Sequence, residues 1–134
     1  MLNRRQIKAL EALIELENRA NGTSSAELAC TLSLSRDSVH QLLLPLVRSG
    51  WVVAGRGRLG GYRVTPAASQ ASVLDVVSTF SHRGSAPASP GTPKWIRKLE
   101  DRADEEYRGV LASITIGEVA GAVRAERDAL TWVI

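Results

Sequence analysis

The sequence predicts a mainly α-helical chain with one small β-hairpin, an α+β fold in which the hairpin directly follows a helix-turn-helix and a long helix lies toward the C-terminus. Three observations predict it. Apolar residues recur at steps of three and four over most of the chain, the spacing of helices with one buried face. That period changes to two in a single stretch, WVVAGRGRLGGYRVTP over 51–66, where strands fit better. The segment SSAELACTLSLSRDSVH sets two helix starts around a turn of about three residues.

Taken in order, Asn3 is placed to cap a first helix, and Gln6 completes a capping box. Ile7, Leu10, Leu13 and Ile14 follow at helical spacing, so the helix is expected over 4–19, stopping at Asn21-Gly22. Ser24 or Ser25 caps a short second helix through Leu32. After the tight Ser33-Leu34 connection, Ser35 caps a third helix that ends at Gly50. Leu28, Leu32 and Leu34 bracket the turn, and Val39, Leu42, Leu43 and Leu46 form the inner face of the third helix. Its outer face offers Arg36, Asp37, His40 and Gln41 near the N-terminal end, where a recognition helix presents side chains to base edges.

WVVAG then reads as one strand and GYRVTP as a second ending at Pro66. A hairpin in this place is a wing. Helical spacing resumes in SVLDVV and runs to about Phe80, and SHRGSAPASPGTPK, without periodicity, is a loop. Thr92, with Pro93 at the first helical position, opens a long helix over 94–113. Its apolar stripe is Trp95, Leu99, Ala103, Tyr107 and Val110, with charges elsewhere. One such stripe needs a partner, and a second copy of the chain is the simplest. The end reads as a further helix from Gly117 and an apolar tail of Leu130, Trp132, Val133 and Ile134. The expected organisation is a winged helix-turn-helix domain over 1–80, a Pro/Gly/Ser loop over 81–93 and a dimerisation element over 94–134.

Composition narrows the function. At 134 residues, 44% hydrophobic and 23% charged, the chain suits one soluble domain, or a compact unit plus an assembly element. No apolar run approaches the roughly 18 residues that span a bilayer. The amphipathic start carries Glu11, Glu15 and Glu17, unlike a signal or transit peptide, so the expected location is the cytoplasm, with no membrane partner. Through Val64 there are nine basic residues against five acidic ones; beyond it there are eight against nine. A basic front half suits a nucleic-acid reader joined to an assembly element.

The loop beginning at Gly55 spells G-x-G-x-x-G. A dinucleotide site needs a helix after that pattern, whose first amides hold the pyrophosphate. Here YRVTP follows, β-branched and ending in proline, and no P-loop Lys-Ser/Thr pair is present. The loop therefore reads as a wing tip. Gly57, Gly60 and Gly61 let it turn through positive φ and approach a phosphate, and Arg56 and Arg58 give it a narrow charged end suited to a minor groove. A solvated basic hairpin of structural role is the plainer alternative; the position behind a helix-turn-helix favours the DNA-facing one.

From Ser24 to Val64 the chain resembles the winged-helix regulators of the IscR, NsrR and CymR type. Their signature aGlv-x-s-x-RG-x-x-GGYrL is matched by Ser49-Gly50-Trp51-Val52 and then by Arg56-Gly57-Arg58-Leu59-Gly60-Gly61-Tyr62-Arg63-Val64. A weaker likeness continues through ASVLDVV and SITIGEV, so it covers about residues 2 to 120. The resemblance implies a homodimeric DNA-binding transcription regulator whose long helices cross at the dimer interface. It places Asp37, His40 and Gln41 at base-reading positions, Arg56 where a wing arginine enters the minor groove, and Arg4 and Arg5 at a basic helix start that contacts phosphate. Arg36, Arg58, Gly60 and Tyr62 complete the expected DNA-facing set.

Two departures stand out. Cluster-binding members carry cysteines just before the long helix, whereas here SHRGSAPASPGTPK has none, and His82 alone cannot anchor an iron–sulfur cluster. No metal or other cofactor is expected. Pro45 lies inside the recognition helix, where it removes a backbone hydrogen bond and is expected to kink or loosen the stretch toward Gly50. Elsewhere the chemistry is plain. Cys30, the one cysteine, reads as a small buried residue on the second helix, and the acids at 100–106 read as a solvated helix face. No Ser-His-Asp or paired-carboxylate arrangement stands out, so no enzyme is expected.

The expected function is a sequence-specific DNA-binding transcription regulator, a homodimeric repressor, with its recognition helix in the major groove and a wing arginine in the minor groove. Its partners are double-stranded DNA and a second copy; an effector protein or small ligand is admitted but not identified. The competing reading is a protein-interaction adaptor that keeps the winged-helix scaffold with little or no specific DNA binding.

Overall fold

The computed structural model describes residues 2–19, 21–55, 61–80 and 90–133, with 130–133 as backbone alone. Along the chain run α1 (Arg4–Glu17), α2 (Ser25–Leu32), α3 (Arg36–Arg48), β1 (Val52–Gly55), β2 (Gly61–Val64), α4 (Pro66–Gln70), α5 (Val73–Thr79), α6 (Lys94–Ala112) and α7 (Ile116–Val133). This is the mainly helical fold with one antiparallel hairpin that the sequence predicts.

The first helix begins as its capping residues dictate. Asn3 Oδ1 accepts from the Gln6 amide at 2.8 Å, and Gln6 Oε1 accepts from the Asn3 amide at 2.9 Å. Gln6 also reaches inward, its Nε2 donating to the Val77 carbonyl at 3.0 Å and tying α1 to α5. The helix ends earlier than expected, with Asn18 as its C-cap. Ala9, Ala12, Leu13, Ile14 and Leu16 form its buried face, while Ile7, expected inside, is exposed.

Leu28 and Leu32 of α2 meet Val39, Leu42, Leu43 and Leu46 of α3 in the core, each burial contributing about 1.5–3 kcal/mol. The turn between the helices is closed by Ser33 in the left-handed region at φ 56°. Pro45 does not break the helix. α3 runs unbroken through it to Arg48, and the Ser49 amide donates to the Pro45 carbonyl at 3.0 Å. The missing N–H falls one turn before the helix ends, so a single internal hydrogen bond is forgone. Cys30 is exposed rather than buried, because Leu28 and Leu32 already fill the inner face of a two-turn helix.

The hairpin pairs Val52 with Val64 and Gly55 with Gly61. A third extended piece joins it at Thr23, whose amide donates to the Tyr62 carbonyl at 3.0 Å and whose carbonyl accepts from the Tyr62 amide at 2.8 Å. The hairpin is thereby attached to the segment that enters the helix-turn-helix.

The second strand stops at Val64, two residues short of Pro66, because that proline opens a short helix, α4, which periodicity did not reveal. Ser72 and Asp75 then form a second capping box at the start of α5. Pro93, expected at the first helical position of α6, is instead its N-cap residue and supplies no side-chain cap. The last helix, α7, starts one residue early and absorbs the backbone of the expected tail through Val133. It packs against α1 and α4, and Gly117 makes that possible: a Cβ there would lie 3.0 Å from the Ser69 carbonyl oxygen. Asn18 Oδ1 accepts from Arg124, and the buried carboxylate of Glu15 pairs with Arg127 and with Arg19. Helix α6 is different. None of its residues is buried, and its described contacts within the chain run mainly to α5.

Candidate nucleic-acid interface

Burial of Val39, Leu42, Leu43 and Leu46 at steps of three, one and three fixes the rotation of α3 about its axis. Arg36, Asp37, His40 and Gln41 are consequently all exposed, as predicted. Ser35 caps the helix by accepting from the Ser38 amide at 3.1 Å, and its hydroxyl donates to the Ser38 hydroxyl at 2.9 Å. The first turn of α3 is thus held rigidly where the exposed side chains begin.

Two clefts flank this surface. In the first, of about 490 Å³, Arg4, Arg5 and Lys8 of α1 face Ser38 and Gln41 of α3. No acidic residue occupies the first turn of α1, so the positive end of its dipole adds to the side-chain charge and favours an anion. The three cations are held differently. Arg5 lies over the Phe80 ring, 5.3 Å from its centroid, and Lys8 donates to the Leu32 carbonyl at 2.9 Å while pairing with Glu11. Among the described residues Arg4 has no acidic partner and is exposed.

The second cleft, of about 340 Å³, lies between α3 and the hairpin and is lined by His40, Gln41, Leu44, Val47, Ala54 and Tyr62. Across it, His40 Nδ1 lies 2.6 Å from the Tyr62 hydroxyl oxygen, with the rings tilted at 59°. Partial burial pushes the Tyr62 phenol above its ordinary value of 10.0. Gln41 lines both clefts and stands at the centre of the surface.

The structure therefore brings together Arg4, Arg5, His40, Gln41 and Tyr62, with Arg36 and Asp37 on the same exposed helix start. Arg56, Arg58 and Gly60 lie outside the described residues. Gly61, read from the sequence as freeing the backbone to approach a phosphate, has a nearer reason. At φ +130° a Cβ would sit 2.7 Å from the Thr23 carbonyl oxygen, so the glycine permits the bridge between Thr23 and Tyr62. Lys8 and Ser38 line the first cleft beside these residues, outside the expected set. Each carried a signal, since Lys8 lies four residues after Arg4 and Ser38 three before Gln41 on the same helix faces.

The predicted assembly residues form a second exposed surface. Trp95, Leu99, Val110 and Tyr107 of α6 are 65%, 59%, 57% and 38% exposed, and Ala103 is exposed between them. Together they leave a large apolar stripe open on one face of the helix. A separate apolar groove of about 390 Å³ lies between α1 and α7, with the Glu15–Arg127 pair at its side. No helix among the described residues is long and apolar enough to cross a membrane.

Comparison with known proteins gives a consistent result. The Rrf2 family model, described as iron-dependent transcriptional regulators, matches residues 2–122. Among solved structures, the chain is similar to CymR, the global cysteine regulator of B. subtilis, at 24% identity and a TM-score of 0.77, covering 91% of this chain and 97% of that one. Staphylococcus aureus CymR matches at 24% identity and a TM-score of 0.78, over 88% and 96% of the two chains. IscR of T. potens matches at 19% and 0.76, over 92% and 88%. No curated protein matches in sequence. Among the described residues the iron in the family description finds no grouped ligand set. An iron–sulfur cluster takes several thiolate or imidazole ligands, whereas the chain has one cysteine, exposed on α2. Among the described residues no three His, Cys, Asp or Glu side chains are grouped to hold a metal ion.

Proposed function

Because the chain belongs to the Rrf2 family of DNA-binding transcription regulators, and is on that ground a regulator rather than an enzyme, we propose that it acts as a homodimeric repressor. In this reading each α3 enters a major groove with Arg36, Asp37, His40 and Gln41 toward the base edges. The hairpin lies alongside, and Arg56 at its tip reaches into the minor groove. Arg4, Arg5 and Lys8 take the flanking phosphates, which sets the register of the helix but carries no sequence information.

The observation that carries this reading is the position of Gln41 between the two clefts. A cationic cleft on one side of a reading helix and a hairpin on the other fit a backbone strand and a groove lying side by side. The open stripe on α6 supports a two-fold assembly, which would present two reading helices about one helical turn of DNA apart. A single cysteine in the chain supports a repressor that acts without an iron–sulfur signal.

Selection of binding sites from randomised duplex DNA tests the proposal. The expected product is an inverted repeat whose half-sites are separated by about one turn. Affinity for it should fall steeply with salt, each phosphate contact adding about 0.9 to the slope of log K against log salt. Failure to enrich any sequence, or to bind duplex DNA at low salt, would favour the adaptor reading instead.

A further inference from the structure

His40 and Tyr62 are both exposed enough to meet DNA, yet they also meet each other, 22 positions apart in sequence. That contact constrains what His40 can offer a base. A neutral imidazole has one donor nitrogen and one acceptor nitrogen, and the partner of one decides the role of the other. The 2.6 Å separation is a close hydrogen bond, and of the two groups the phenol is the stronger donor and the imidazole nitrogen the stronger acceptor. The geometry assigns Tyr62 as a positioning residue that donates to His40 Nδ1 and so presents Nε2–H outward as a donor, selecting a base edge that carries an acceptor.

This rests on the reading of α3 as the base-contacting helix and adds the chemistry of one contact to it. In the major groove, guanine offers two acceptors, N7 and O6, adenine offers N7 and thymine O4, whereas cytosine presents a donor. A His40 held as a donor therefore favours guanine and disfavours cytosine at the position it meets. Three features make Tyr62 fit for the role. Its backbone is fixed by paired hydrogen bonds to Thr23, at 2.8 and 3.0 Å, so the ring is aimed independently of DNA. Its phenol is protonated at neutral pH, as any tyrosine's is, and so can donate. Among the described residues, Nε2 of His40 has no protein partner and remains available.

Site selection with the parent chain and with Tyr62→Phe tests the assignment, with the same pair repeated in a His40→Ala background. The backbone bridge to Thr23 survives the Phe substitution, and helical circular dichroism checks that the fold does. One base pair per half-site should show the guanine preference in the parent and lose it by about three- to tenfold in Tyr62→Phe, the scale of one hydrogen bond. Other positions should keep theirs, and in the His40→Ala background the Phe substitution should change nothing at that position. An unchanged preference, or an equal loss at every position, would overturn the assignment. Nitrogen NMR of DNA-free protein carrying His82→Gln, at mildly alkaline pH, reads the tautomer directly. A protonated Nε2 in the parent and a mixed population in Tyr62→Phe are expected; identical spectra would overturn the inference while leaving the DNA-binding reading standing. A parent that selects no sequence would overturn that reading instead, and the specificity role with it.

Discussion

His40 on α3 and Tyr62 on β2 are joined side chain to side chain, Nδ1 to hydroxyl oxygen at 2.6 Å, so α3 and the hairpin are coupled directly and not only through the core. The partial burial behind this contact raises the Tyr62 phenol above its ordinary value of 10.0. A raised folded-state value means stability that is fully present below the unfolded-state value and is lost as pH climbs above it. In a Tyr107→Phe variant, which leaves Tyr62 as the remaining tyrosine, alkaline absorbance titration should place the phenol above a free tyrosine. Denaturation midpoints should start to fall in the same range.

Gly61→Ala should be severely destabilising. The new Cβ would meet the Thr23 carbonyl oxygen at 2.7 Å and its carbon at 2.9 Å, both backbone, and φ is +130°. Overpacking and strain together predict a loss of about 3 kcal/mol or more by urea denaturation. Gly50→Ala is the control, because at φ +82° it has nothing within 4 Å of the added carbon. It should cost only the backbone term, about 1–2 kcal/mol.

Ser33→Gly should stabilise the chain. Ser33 adopts φ 56° at the C-cap of α2, inside the helix-turn-helix turn, where a side chain costs about 1–2 kcal/mol. Glycine removes that strain but brings more unfolded-state freedom, worth about 0.5–1 kcal/mol. The net expectation is a gain of about 0.5–1 kcal/mol in thermal or urea denaturation, with DNA affinity unchanged.

The Glu15 carboxylate is buried and shared by Arg127 of α7 and Arg19 of α1. Arg127→Ala leaves Arg19 in place and should cost about 1 kcal/mol. Removing both arginines strands a buried charge, so the double variant should lose more than the two singles together. A double-mutant cycle in urea measures the difference, and additive losses would show that Arg19 does not share the carboxylate.

The stripe on α6 predicts an assembly effect. Leu99 is 59% exposed beside Trp95, so Leu99→Glu should leave the fold of one chain intact while disfavouring a two-fold contact. Sedimentation should then report a monomer for the variant and a dimer for the parent. Binding to a two-half-site operator should weaken by at least tenfold, since one linked contact becomes two separate ones.

Much of this molecule was legible in residue order because the relevant forces are local. Asn3 with Gln6, and Ser35 before α3, announced helix starts through the orphan amides they cap. The period-two stretch announced the hairpin, and the spacing of Val39, Leu42, Leu43 and Leu46 placed Arg36, Asp37, His40 and Gln41 outside. What escaped was equally physical. Pro66 ended a strand by opening a five-residue helix too short to show a period. Ile7 kept its helical spacing but found no neighbour deep enough to bury it. Pro45 left α3 unbroken because its missing N–H falls one turn before the helix ends.

The sequence by itself determined every helix but the short α4, and where the hairpin lies, since caps and periods act over a few residues. Only the tertiary structure decided who meets whom. It set Tyr62 against His40 across 22 positions and brought Arg127 to Glu15 across 112. It also gave Gly61 its duty to Thr23 and put Gln41 at the meeting of two clefts. These relations depend on the angles at which helices and strands pack, which periodicity does not specify and close packing of the shared core does.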